Sequence, residues 1–147
     1  ASALAGTMPL VYGGGAAGAV AAGRWKAQIN QSAKTPSWAG ELPDVTHGEI
    51  AGWGQHGDIT RQVLSLVLLR HDDEPPAVAE QFASVELWTE EVMAGIHTVR
   101  AEGDGALAQI LDLGLFGDMV AIELAERAGI DPGPTPTIAA SPAAQAG

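Results

Sequence analysis

Apolar and polar positions in this chain fall into two rhythms, short continuous apolar runs and longer stretches at helical spacing. Pro9–Tyr12 is a short apolar run that meets a cluster of glycines, and from about Ala16 to Ser32 alanines and larger apolar residues recur at helical spacing until the Lys34-Thr35-Pro36 break. The pattern predicts a strand, a tight turn and a helix. Ser37–Leu42 is interrupted by Gly40 and bounded by prolines, and is not expected to be a clean strand. Asp44 is placed to cap a helix whose first turn holds Val45, Thr46 and His47 and which runs toward Trp53. Leu64–Leu69 is a continuous apolar run of the kind buried on both faces of a parallel sheet. "HDDEPP" then sets acidic residues and prolines before a helix, where they suit the orphan amides and the dipole. Val78, Phe82, Val85, Val92 and Met93 fall near one face of that helix, which Gly95 is expected to stop.

Ile96–Arg100 is a fourth strand candidate, and Gly105–Ala128 reads as a long helix. Leu107, Ile110, Leu111, Leu115, Met119 and Ile122 make its main stripe, while Leu113, Phe116, Val120 and Leu124 widen the apolar surface beyond one face. Such a helix is expected to have two neighbours, one of them another subunit or another domain. From Asp131 onward Pro, Gly, Ala, Thr and Ser dominate, which predicts disorder. Strands separated by helices in this order predict an α/β fold, a three-layer sandwich with a mainly parallel sheet whose ligands sit at the carboxyl ends of the strands.

With 147 residues the chain is the size of one domain. Its 18 Asp and Glu against 7 Lys and Arg give a formal net charge of -11, which argues against nucleic acid and anionic membrane as partners. No apolar run approaches the roughly 18 residues of a membrane span. The absence of cysteine removes disulfides, cysteine-based zinc sites and a thiol nucleophile, and is the pattern expected in the cytoplasm. The chain opens without a Met and reaches its first strand almost at once, as a piece of a longer protein would.

Gly13, Gly15 and Gly18 fit G-x-G-x-x-G, so the turn could serve a dinucleotide, a phosphosugar or nothing but helix packing. A dinucleotide site also needs an acidic residue ending a second strand about 20 residues on, where only Glu41 is available and the strand is interrupted. His47-x-Glu49 matches one part of the zinc deaminase signature, whose cysteines are absent, and His47, Glu49 and His56 match no metal-ligand spacing. His47 near a helix start would be kept neutral and suited to passing protons, against the plainer role of a surface or capping histidine. His71 and His97 flank strand candidates and are expected at the surface or an edge. Trp25, Trp38, Trp53 and Trp88 could line a pocket, but in a chain so poor in aromatics they are expected as core and interface anchors. Asp118, within the apolar helix, requires a partner if buried.

Three blocks, "YGGGAAGAVAAGRWKAQINQSAK", "ELPDVTHGEIAGW" and "DPGPTP", together resemble the C-terminal half of the bifunctional phosphoglucose/phosphomannose isomerases, built from sugar isomerase (SIS) domains. The likeness runs from about residue 8 to 138. It implies a C-terminal-type SIS domain over residues 1–138, a disordered tail over 139–147, an N-terminal SIS domain of the same protein as partner, a homodimer, and a hexose 6-phosphate substrate with no cofactor and no metal. It also implies aldose–ketose isomerisation through an ene-diol. His47 falls on the family's ring-opening histidine, and Gln31 on the position of the glutamate that moves the proton. Gly13, Gly14, Gly15 and Glu41 are the expected substrate-binding residues. An amide cannot accept a proton at neutral pH, so Gln31 equally suits a non-catalytic phosphosugar-binding domain with a regulatory or assembly role.

Overall fold

A computed structural model describes residues 1–134. After a 3-10 turn at Ser2–Leu4, the elements are β1 (Met8–Gly14), α1 (Gly15–Ser32), β2 (Trp38–Leu42), α2 (Asp44–Gly48), α3 (Ile50–Trp53), a 3-10 turn at Gly54–His56, α4 (Gly57–Val63), β3 (Leu64–Arg70), α5 (Pro76–Thr89), β4 (Gly95–Arg100) and α6 (Ala106–Ala128). The four strands are parallel throughout, in the order β2-β1-β3-β4. Leu10 of β1 stands between Trp38 of β2 and Leu66 of β3. This is the α/β architecture that the alternation of apolar runs and helical stretches predicts.

The two-residue period of the strands divides the core between the faces of the sheet. Val11, Val67 and Leu69 pack with Trp25 and Ile29 of α1 and with Leu113, Val120 and Leu124 of α6. Leu10, Tyr12, Leu66 and Leu68 face the other way, against Val78, Phe82 and Val85 of α5 and Val45 of α2. Helices thus cover both faces, the three layers expected. Each fully buried Leu or Val contributes on the order of 1.5–3 kcal/mol over leaving it in water.

Several sequence expectations are corrected. Trp38–Leu42 is a strand after all, but an edge strand in which only Leu42 is fully buried, so it needs no continuous apolar run. The helix expected from Asp44 to Trp53 is broken at Glu49, whose φ of -124° leaves helical geometry, and Pro43 rather than Asp44 occupies its N-cap. The helix after "HDDEPP" ends at Thr89, well before Gly95, and no side chain caps its start. On α6 the faces are exchanged. Leu107, Leu111, Leu115 and Met119, expected as the main stripe, are 61–71% exposed, whereas Leu113, Val120, Leu124 and the small residues Gly114, Gly117, Ala121 and Ala125 are buried. Close approach to α1 selects the small residues and turns the bulky ones outward.

The stretch from Asp131, where disorder is expected, is in contact with the domain as far as Gly133. Lys34 Nζ donates to the Gly133 carbonyl at 2.9 Å, and the Asp131 carboxylate accepts from the Gly133 amide at 2.8 Å. The expected tail, 139–147, lies outside the described residues.

Candidate functional site

The glycine turn joins β1 to α1 at the carboxyl edge of the sheet. A side chain at Gly13 would collide with the Gly18 carbonyl, so the glycine lets the helix fold back on its own strand. One at Gly14 would run into Val78 and Phe82 of α5. Gly15 has φ +63°, a left-handed conformation that favours glycine, and is half-buried. The ring of His71 closes the turn from β3: it is buried, and its Nε2–H donates to the Gly14 carbonyl at 2.8 Å. His71 is therefore an interior residue and not the surface or edge histidine expected, because α1 and the β3 end fold over it. Among the described residues its Nδ1 has no partner.

Beside this turn, the acidic loop after β3 is organised by its own neighbours. Arg70 holds Glu74 through Nε, at 2.8 Å from both carboxylate oxygens, and stacks over Phe82 at 4.2 Å. Glu74 also accepts the His71 amide at 2.8 Å. Buried Gln109 of α6 accepts the Asp72 amide at 2.9 Å and donates to the Asp72 carboxylate at 2.6 Å and the Gly103 carbonyl at 3.0 Å. One side chain thereby ties the β3–α5 loop to the β4–α6 loop.

On the β2 side the chain presents different chemistry. Val45 is buried and anchors α2, leaving His47 exposed in the last turn of a five-residue helix. So short a helix, with His47 at its far end, offers no positive dipole end to that ring. Two residues on, Glu49 is fastened to the core. Its Oε2 accepts the hydroxyl of fully buried Tyr12 at 3.0 Å, and Trp53 Nε1–H donates to the same Tyr12 oxygen at 3.2 Å. Burial holds the Tyr12 phenol above its ordinary pKa, and the Glu49 charge adds to the shift.

Gln31 is exposed in the last turn of α1, and Lys34 Nζ donates both to its carbonyl at 2.6 Å and to that of Gly133 at 2.9 Å. Glu41 is exposed on β2. The structure does not bring Gln31 and His47 together: α1 covers one face of the sheet and α2 the other. It does bring together Tyr12, Glu49 and Trp53, a group that sequence reasoning missed. The only usable signal was a tyrosine inside an apolar strand, since a buried phenol requires a polar partner. Asp118 finds its partner in Arg24 at 2.6 Å, and the hydrogen bond and charge of Asp118 raise the pKa of that guanidinium.

A cleft of roughly 460 Å³ opens beside edge strand β2, between α1 and α3, with Lys26, Trp38, Glu49 and Trp53 among its walls. None of the expected site residues lines it.

The model of the bacterial phospho-glucose isomerase C-terminal SIS domain matches residues 1–141. The chain belongs to this family. As an SIS domain it is 29% identical over 142 residues to a bifunctional phosphoglucose/phosphomannose isomerase of Aquifex aeolicus, and 27% identical over 131 residues to one of Caldicellulosiruptor bescii. Those alignments cover 90% and 89% of this chain but only 41% and 38% of the relatives. This SIS domain therefore spans about two fifths of their length. Its fold is shared with a glucose-6-phosphate isomerase like protein from Thermus thermophilus, at TM-score 0.75 and 23% identity, covering 91% of this chain and 44% of that one. It is also shared with the C-terminal domain of a glucosamine-fructose-6-phosphate aminotransferase from Francisella tularensis, at TM-score 0.60 and 10% identity, covering 88% and 38%.

Proposed function

We propose that this domain is the C-terminal half of a sugar-phosphate aldose–ketose isomerase that converts glucose 6-phosphate or mannose 6-phosphate to fructose 6-phosphate through an ene-diol. The observation that supports this reading is the family match across the chain, joined to an exposed His47 held in place by the anchors on either side of it, Val45 and Glu49. In this reading His47 assists opening of the sugar ring, and Gly15, Glu41 and the amides at the start of α1 face the substrate. Gly13 and Gly14 shape the turn beneath it. The remaining three fifths of the relatives' length, with an N-terminal SIS domain, supplies most of the phosphate contacts. Gln31 and His47 stand on helices covering opposite faces of the sheet, so a site using both positions draws them from two copies of the protein. In this reading the protein acts as a homodimer.

Gln31 favours a second reading, in which the domain binds a phosphosugar for regulation or assembly without turning it over. Moving a carbon-bound proton needs a group that is basic first and acidic afterwards, and an amide is neither. A C2 proton-exchange assay on a protein of the relatives' length separates the two. Native exchange that Gln31→Glu accelerates about a hundredfold or more places the missing base at that position. Brisk native exchange untouched by Gln31→Ala assigns the base elsewhere, and tight binding without exchange in either form selects the non-catalytic reading.

A further inference from the structure

We infer that the cleft beside β2 is a binding site for a small aromatic zwitterion of amino-acid type, distinct from any sugar-phosphate site. At roughly 460 Å³ it has the size of a small-molecule pocket, and its walls are mainly apolar, with Leu10 and Leu64 at its base and the indoles of Trp38 and Trp53 at its sides. Two charged groups of opposite sign reach it, Lys26 from α1 and Glu49 from the junction of α2 and α3. Among the described residues Lys26 makes no ion pair. Glu49 and Trp53 are both held by the Tyr12 hydroxyl, at 3.0 and 3.2 Å, so carboxylate and indole are set in place before any ligand arrives.

The lining decides the class of ligand. A hexose 6-phosphate brings several hydroxyls, most of which would lie against Leu10, Leu64 and the indoles without a partner, and a buried polar group without a hydrogen bond is costly. A flat apolar ring with one anion and one cation loses nothing on those walls. Its carboxylate pairs with Lys26, its ammonium with the Glu49 oxygen that Tyr12 leaves free, and its ring lies along the indoles.

The test is a titration of the 147-residue chain with L-phenylalanine, followed through the four indole N–H resonances. Trp38 and Trp53 should move together, while Trp25, buried against Leu113, and Trp88, on α5, stay fixed. Lys26→Met and Glu49→Gln should each weaken binding about tenfold or more, as should replacing the ligand by phenylacetate or phenethylamine, which each keep one charge. Glu49→Gln keeps an acceptor for Tyr12, so the wall survives while its charge goes. No movement at about 10 mM phenylalanine, or movement that neither variant weakens, overturns the proposal. So does a larger response of Trp38 and Trp53 to glucose 6-phosphate, which would make the cleft part of a sugar-phosphate site. Failure here leaves the isomerase reading standing, because His47, Gln31, Gly15 and Glu41 lie outside the cleft, and Glu49, which lines it, serves that reading only as an anchor beside His47.

Discussion

The indole of Trp25 occupies the space beside Gly117 that any side chain there would fill, and its Nε1–H reaches past that glycine to the Leu113 carbonyl at 2.7 Å. This contact joins α1 to α6 at the centre of one core. Gly117→Ala gains about 1 kcal/mol of helix propensity but drives a methyl into the indole, and overpacking of that kind costs about 1–3 kcal/mol. The net expectation is destabilisation. Trp25→Ala, which empties a fully buried site, should lose about 3–5 kcal/mol. Urea unfolding of the native chain and both variants checks the order; a stabilised Gly117→Ala would show that the indole yields freely.

Alkaline pH should reveal the state of Tyr12, the chain's single tyrosine. Burial first, and then the Glu49 charge, raise its pKa above the ordinary value of about 10, so the fold favours the protonated phenol. Stability from that preference is whole below pH of about 10 and is lost as pH rises further, because the unfolded chain releases the proton first. The phenolate absorbance band should therefore appear only together with unfolding. In Tyr12→Phe stability at neutral pH should fall by about 1 kcal/mol through the lost hydrogen bond to Glu49, while its decline above a pH of about 10 becomes shallower. Free titration of the phenol in a chain that stays folded would contradict this.

The outer face of α6 should be covered in a longer protein. Leu107, Leu111, Leu115 and Met119 stand one turn apart on the solvent side, and α1 already occupies the inner side. Compared with the 147-residue chain, a protein of the relatives' length should show strongly reduced hydroxyl-radical labelling of Leu111 and Met119. The chain alone should self-associate in sedimentation velocity, and Leu111→Glu should return it to a monomer. Undiminished labelling in the longer protein would leave this face without the neighbour expected for it.

His47 yields a kinetic expectation. In a protein of the relatives' length, His47→Ala should lower turnover of cyclic sugar phosphate about a hundredfold while changing its binding little, since ring opening and not affinity depends on the imidazole. An equal loss in both, or none in either, would remove His47 from the chemistry.

What could be read in the sequence follows from where each residue's environment is decided. β3 was legible because a central strand buried on both faces must be apolar at every position, and Leu64–Leu69 is nearly so, with Ser65 its one polar residue. β2 was not, since an edge strand needs few buried side chains. On α6 the large residues drew attention to the wrong side: the inner face is built from Gly114, Gly117, Ala121 and Ala125, whose value lies in how near they let α1 come. The glycine turn was legible as a turn, and packing against Gly18, Val78 and Phe82 accounts for Gly13 and Gly14. The Tyr12–Glu49–Trp53 group was hidden because Tyr12 lies 37 residues from Glu49 and 41 from Trp53, a juxtaposition that only the strand order creates.

Gln109 makes two loops, 71–75 and 101–105, share one side chain. A residue inserted in either would lengthen one loop against the other and strip the amide of partners it cannot replace in the core. The pair should therefore vary in length together or not at all. The turn at Gly54–His56, exposed throughout, has no such tether among the described residues and is where this fold can accept added chain.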